Sequence, residues 1–218
     1  MDDKKYTVGY DSHLAPSFPA KAVFKGTVMG DGDKAVYNVV IKFTPVYCED
    51  AHRKLADMER APFLRFCKRV DNVGMYVVIM DYEDGEHADT PLEDEDHIEQ
   101  LRTAVKTLHE ANYVHGDLRA PNALITTGGL KLIDFDWCGE EGKARYPADI
   151  FLAPDLGWHS GVRRGGLIKK DHDEHMFELM TRSTLRPDTE PRGSSAGENV
   201  PEEVLPRVAR ERSCTSPP

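Results

Sequence analysis

The segment His115-Gly116-Asp117-Leu118-Arg119-Ala120-Pro121-Asn122, followed by Asp134-Phe135-Asp136, constrains this chain more than any other. Between the two acidic elements lie the β-rich runs Ala123-Leu124-Ile125-Thr126 and Leu130-Lys131-Leu132-Ile133, joined by the turn Thr127-Gly128-Gly129. A hairpin returns the chain to its starting point, so the loop before its first strand and the residue after its second emerge on one side. Asp117, Asn122 and Asp134 are therefore expected to converge. Two carboxylates and an amide oxygen brought together suit phosphoryl transfer. That reaction needs a carboxylate beside the attacking hydroxyl, an acidic group on Mg2+ and a further oxygen to complete the metal shell. Asp117, Asp134 and Asn122 fill those roles in that order.

Upstream, the residues through Pro19 give no clear element, and Val23 to Met29 is the first strand expected. A turn through Gly30-Asp31-Gly32-Asp33-Lys34 leads to a second strand, Ala35 to Phe43. Strand alternation turns Lys42 to the face opposite Ile41 and Phe43. A helix is expected from Tyr47 to Met58, stopped by Pro62. Met75 to Met80 is an apolar run too short for a helix and reads as a buried strand entering the polar Asp81-Tyr82-Glu83-Asp84-Gly85. Thr90-Pro91-Leu92-Glu93 offers an N-cap, a first-turn proline and a capping-box glutamate. Ile98, Leu101, Val105 and Leu108 then repeat at helical spacing.

His115, Asp117, Asn122 and Asp134 resemble the protein-kinase-like superfamily, in which H-x-D-x-x-x-x-N precedes a D-F-G-type metal motif. Gly116 in place of the usual arginine, and Asp136 in place of the glycine, are similar to the aminoglycoside and choline phosphotransferase branch. Ile133-Asp134-Phe135-Asp136-Trp137, with Gly139, Arg145-Tyr146-Pro147 and His172-Asp173, also resembles kinase-like proteins of fungi. The resemblance implies a bilobal α+β kinase-like fold with a small β-rich N-lobe and a shortened helical C-lobe. It implies that ATP and Mg2+ bind between the lobes. Val40-Ile41-Lys42 resembles the strand whose lysine clamps the phosphates, and a helical acid, Glu49 in preference to Glu59, is expected to position Lys42. Met80 to Tyr82 is the expected adenine-facing segment, and Asp173 is expected to brace the catalytic loop from beneath. Two departures accompany the likeness. No G-x-G-x-x-G precedes Lys42, and the C-lobe is too short for the further helices of a full protein kinase.

The implied organisation is an N-lobe over 1–82, a C-lobe over 83–182 and a disordered tail over 183–218, where prolines and polar residues lack apolar periodicity. A formal net charge of −10 argues against nucleic-acid binding, which needs a basic face. Cys48, Cys67, Cys138 and Cys214 show no C-x-x-C spacing, which fits reduced thiols. Met1-Asp2-Asp3-Lys4-Lys5 leads into no apolar signal region, and no run reaches membrane-spanning length. The expectation is an intracellular, cytoplasmic phosphotransferase moving the γ-phosphoryl of Mg·ATP to a hydroxyl, that of protein Ser/Thr first. A small-molecule kinase and a pseudokinase acting as an interaction module are the alternatives.

Overall fold

The protein is described by a computed structural model over residues 6–18, 21–30 and 35–185. The expected turn through Asp31 to Lys34 and all of the expected tail from 186 onward lie outside the described residues. Leu185, within the stretch assigned to the tail, is buried against the core.

Among the described residues the N-terminal half is a five-stranded antiparallel sheet of order β1-β2-β3-β5-β4. Its strands are β1 (Tyr6–His13), β2 (Ala22–Gly30), β3 (Val36–Thr44), β4 (Leu64–Val70) and β5 (Met75–Asp81), with helix α1 (Glu49–Ala56) between β3 and β4. Alternation along β3 builds the two faces. Val39 and Ile41 join Val28 and Ile79 in an apolar cluster on one side, and Lys42 and Thr44 point the other way. Lys42 pairs across the sheet with Val78, and Ile41 with Ile79.

The second half carries β6 (Gly85–His87), α2 (Glu95–Glu110), β7 (Tyr113–Val114), β8 (Ala123–Thr126), β9 (Gly129–Leu132), β10 (Gly139–Glu140) and α3 (Lys170–Thr181). Strands β6, β8 and β9 form one small sheet, and β10 pairs with β7. Ile98, Leu101, Ala104, Val105 and Leu108 bury one face of α2 against Leu130, Leu132, Phe177 and Met180. Each fully buried side chain of this size stabilises by roughly 1.5–3 kcal/mol. The same cluster reaches Ala51 and Leu55 of α1, so one continuous core fastens the β-rich lobe to the helical one. The bilobal α+β architecture expected above is present. No helix among the described residues is long and apolar enough to cross a membrane.

Four local expectations are corrected. Strand β1 lies where no element was read, and β4 was missed because Arg65, Lys68 and Arg69 interrupt its apolar pattern. Helix α2 begins at Glu95, capped by Asp94, whose side chain accepts from the His97 amide, and not at Thr90-Pro91. Tertiary contact overrides that earlier start signal: Leu92 is buried and its amide donates to the Met180 carbonyl at 2.6 Å, which holds the segment extended. Helix α1 is shorter than Tyr47 to Met58, with Cys48 at its N-cap and Tyr47 in the core.

Candidate active site

The β8–β9 hairpin pairs Ala123 with Leu132, so Asn122 and Ile133 meet at its base, where the Ile133 amide donates to the Asn122 carbonyl at 2.9 Å. That one contact places the end of the catalytic loop beside the residue preceding Asp134. Asp134 adopts φ 66°, a left-handed conformation that costs most residues about 1–2 kcal/mol and that aspartate tolerates better than most. Its neighbour holds it there. The Phe135 ring is fully buried, stacked on His52 with ring centres 4.6 Å apart, and the Phe135 carbonyl accepts from the Cys48 amide at 3.2 Å. A strained acidic residue fixed by its surroundings is a feature of functional sites.

Lys42, buried on β3, places its Nζ 2.5 Å from Asp134 Oδ1 and 2.7 Å from Asp136 Oδ1. Thr44 Oγ1 donates to Asp136 Oδ2 at 3.0 Å. Burial opposes the lysine's charge, but the two carboxylates outweigh it and its pKa is raised. Burial also pushes Asp134 up, yet the Lys42 ammonium prevails and holds it below the usual carboxylate range. Asp136 is pushed up to about 6 by burial, with Lys42 opposing and Asp134 adding to the rise.

The catalytic loop is fixed from beneath by Asp173, as expected. Its carboxylate accepts from the amides of His115 at 2.7 Å and Gly116 at 2.9 Å, and lies 3.2 Å from His109 Nε2. Gly116 has φ 79°, and a Cβ there would stand 2.8 Å from Ile168 Cδ1. The left-handed backbone at 116 and the crowding by Ile168 both favour glycine there. Asp117 is buried and paired with Arg119, whose Nε lies 2.8 Å from Oδ1 and whose Nη2 donates to Oδ2 at 3.1 Å. Asn122 Nδ2 donates to Asp117 Oδ2 at 2.7 Å and to the Asp117 carbonyl at 2.8 Å. Burial raises the pKa of Asp117 against the opposing Arg119 charge. With Nδ2 engaged, Asn122 offers its Oδ1.

The structure therefore brings Lys42, Asp117, Asn122 and Asp134 together, and it does not bring Glu49 to Lys42. Glu49 opens α1 and pairs with Arg53 one turn on, Arg53 Nη2 standing 2.8 Å from Glu49 Oε1. Asp136 supplies the carboxylate that the sequence reading assigned to the helix. Met80 is buried on the Lys42 face of β5, and Tyr82 follows the strand with its ring under Lys25 at 3.7 Å. The Asp81 and Tyr82 amides already donate to the carbonyls of Phe63 and Asn38. Arg119, Thr44 and His52 were missed. Arg119 alone carried a local signal, a basic residue two places after Asp117.

Lys21, Asp117, Arg119 and Asp134, with Trp137 and Trp158 as walls, line a cavity of about 350 Å³. A larger hollow of about 870 Å³ runs along 84–94, and none of these groups borders it. No group of three His, Cys, Asp or Glu among the described residues is arranged to hold a metal ion. The oxygens of Asp134 and Asn122 suit a hard divalent cation that draws its remaining ligands from phosphate and water, which is how Mg2+ is commonly held.

Residues 21–182 of the 218 match the profile of a family described as lipopolysaccharide core biosynthesis protein (WaaY). A stretch of 37 residues is 51% identical to the serine/threonine-protein kinase mph1 of Schizosaccharomyces pombe, covering 17% of this chain and 6% of that protein. The structure of the Cydia pomonella granulovirus kinase PK-1 superposes with a TM-score of 0.55 at 18% identity, over 83% of this chain and 70% of that one. At that identity the likeness is one of fold, and the fold is that of the protein kinases.

Proposed function

This chain belongs to the lipopolysaccharide core biosynthesis protein (WaaY) family, and from that premise we propose that it is an ATP-dependent phosphotransferase acting on a hydroxyl. The observation that carries the reading is the meeting of Lys42, Asp134, Asn122 and Asp117 at one end of the β8–β9 hairpin. On this reading 1–82 is the lobe that holds the nucleotide and 83–182 the lobe that carries the catalytic loop.

Mg2+, held by Asp134 and Asn122, would neutralise charge on the bridging phosphates. The rest of the work falls to the protein. Lys42, now between Asp134 and Asp136, turns its ammonium to the phosphates when they enter, and Asp136 with Thr44 keeps its stem in place. Asp117 accepts the proton of the attacking hydroxyl as that oxygen bonds to the γ-phosphorus and the bond to the β,γ-bridging oxygen breaks, leaving ADP. A raised carboxylate pKa makes Asp117 the better base, and Arg119 and Asn122 fix the direction its oxygens face.

The compact cavity and the family's place in lipopolysaccharide core biosynthesis favour a small, non-protein acceptor over a protein Ser/Thr hydroxyl. A nucleotide-binding module without transfer is the competing reading, favoured by the absence of glycine between Leu14 and Lys21, where β1 turns into β2. An ADP-release assay over separate pools of metabolites, glycans and proteins tests both. Acceptor-dependent ADP release from the non-protein pools is expected. Mg·ATP binding with no release against any pool would leave the module reading standing. An unchanged melting curve in millimolar Mg·ATP would end the nucleotide reading itself.

A further inference from the structure

We propose that Lys21 is a second phosphate-binding cation, supplying by its side chain the counter-charge that a glycine-rich loop would supply by its backbone. The proposal rests on reading the cavity as a nucleotide site. Lys21, which enters β2 from the connection after β1, lies beside Asp134, and several amide positions of that connection are closed to phosphate. Pro16 and Pro19 have no amide proton. The amides of Leu14, Phe18 and Lys21 are already bonded to the carbonyls of Val23, Ala15 and Phe18 at 2.8–2.9 Å. What the connection does offer is an ammonium. Lys21 Nζ stands 3.7 Å from Asp134 Oδ2, while Lys42 Nζ occupies Oδ1 of the same carboxylate.

The two lysines differ in where they face. Lys42 does not border the cavity that Asp117 and Arg119 line, whereas Lys21 does. Lys21 thus lies on the acceptor side of Asp134, where the terminal phosphoryl group would sit. Its position is anchored despite an exposed side chain, because its carbonyl lies 2.6 Å from His13 Nε2 and accepts from the Val23 amide at 3.0 Å. An ammonium so placed acts on the phosphoryl group by charge and not by forked geometry, so arginine is expected to replace it.

Calorimetric titration of the full chain with ATP and with AMP, each with Mg2+, tests this without any acceptor. Lys21→Ala is expected to weaken ATP binding ~10-fold, at the lower end for a charge-assisted contact at an exposed site, and to leave AMP within about twofold. Lys21→Arg is expected to recover ATP binding to within about threefold. Lys21→Glu should weaken ATP further than alanine does. Equal ATP affinity in wild type and Lys21→Ala overturns the proposal, as does a parallel loss of ATP and AMP. A wild type that binds ATP no better than AMP also overturns the proposal, whereas a wild type that binds neither removes the nucleotide reading itself, so the two failures are told apart.

Discussion

The loop His115 to Asn122 and Lys21 border one cavity beside Asp134 and are held to different standards. His115, Gly116 and Asp117 are buried, with Asp173 on two successive amides and Arg119 and Asn122 on the Asp117 carboxylate. Lys21, by contrast, is half exposed, with its backbone carbonyl held at His13 and its side chain in a single ion pair with Asp134. The difference follows from distance dependence. A proton acceptor must be aligned to tenths of an ångström with the hydroxyl it serves, whereas Coulomb attraction between charges falls only as 1/r. On the proposed reading, tight packing lies where direction matters, and a looser cation stands where charge alone would do the work.

The largest effect should come from removing the brace on the rigid side. Asp173→Ala leaves the His115 and Gly116 amides buried and unpaired, and is expected to cost about 3–5 kcal/mol in chemical denaturation. A loss below about 1 kcal/mol would show that the loop does not depend on this carboxylate.

His52 should come next, because it stacks under Phe135 and is fully buried. Burial lowers its pKa from 6.5 to about 4, so the folded protein keeps the ring neutral while the unfolded chain protonates it. The folded pKa is depressed, so this contribution is present above pH 6.5 and lost as pH falls toward 4. Wild type should lose roughly 3 kcal/mol relative to His52→Phe across that window, measured by denaturation at a series of pH values. A difference independent of pH would mean that His52 is not held neutral.

Gly116→Ala should cost about 2 kcal/mol, from the left-handed backbone and the contact with Ile168. The smallest effect is expected at Glu49. Its pair with Arg53 is exposed, so Glu49→Gln should change stability by about 0.5 kcal/mol or less and leave Mg·ATP affinity alone. A loss of ATP binding like that of Lys42→Ala would return the lysine-anchoring role to the helix.

The same contrast governs what could be read from sequence. The loop His115 to Asn122 and Asp134 were legible because their chemistry lies in fixed spacings around one hairpin, and the Asp173 brace was legible through the resemblance to the kinase-like superfamily. Lys42 was legible because alternation between Ile41 and Phe43 turned it away from the apolar face. The partner of Lys42 was not, since Asp136 and Glu49 are both carboxylates in the sequence and only tertiary structure decides which one reaches the ammonium. Strand β1 was hidden because Gly9, Asp11 and Ser12 weaken its β pattern and its pairing with β2 carries a bulge between Tyr10 and Ser12. Lys21 was hidden with it, because a lone lysine in an unassigned stretch becomes informative only once the fold sets it beside Asp134.

Asp117→Ala, measured for both Mg·ATP affinity and phosphoryl transfer to an acceptor on which wild type is active, tests the account most directly. On the proposed reading Asp117 serves the acceptor hydroxyl and not the nucleotide, so ATP affinity should stay within a few-fold while transfer falls ~10²–10⁴-fold, the range for losing positioned acid–base help. Transfer by Asp117→Ala at the wild-type rate would contradict the assignment of this residue and of the site built around it.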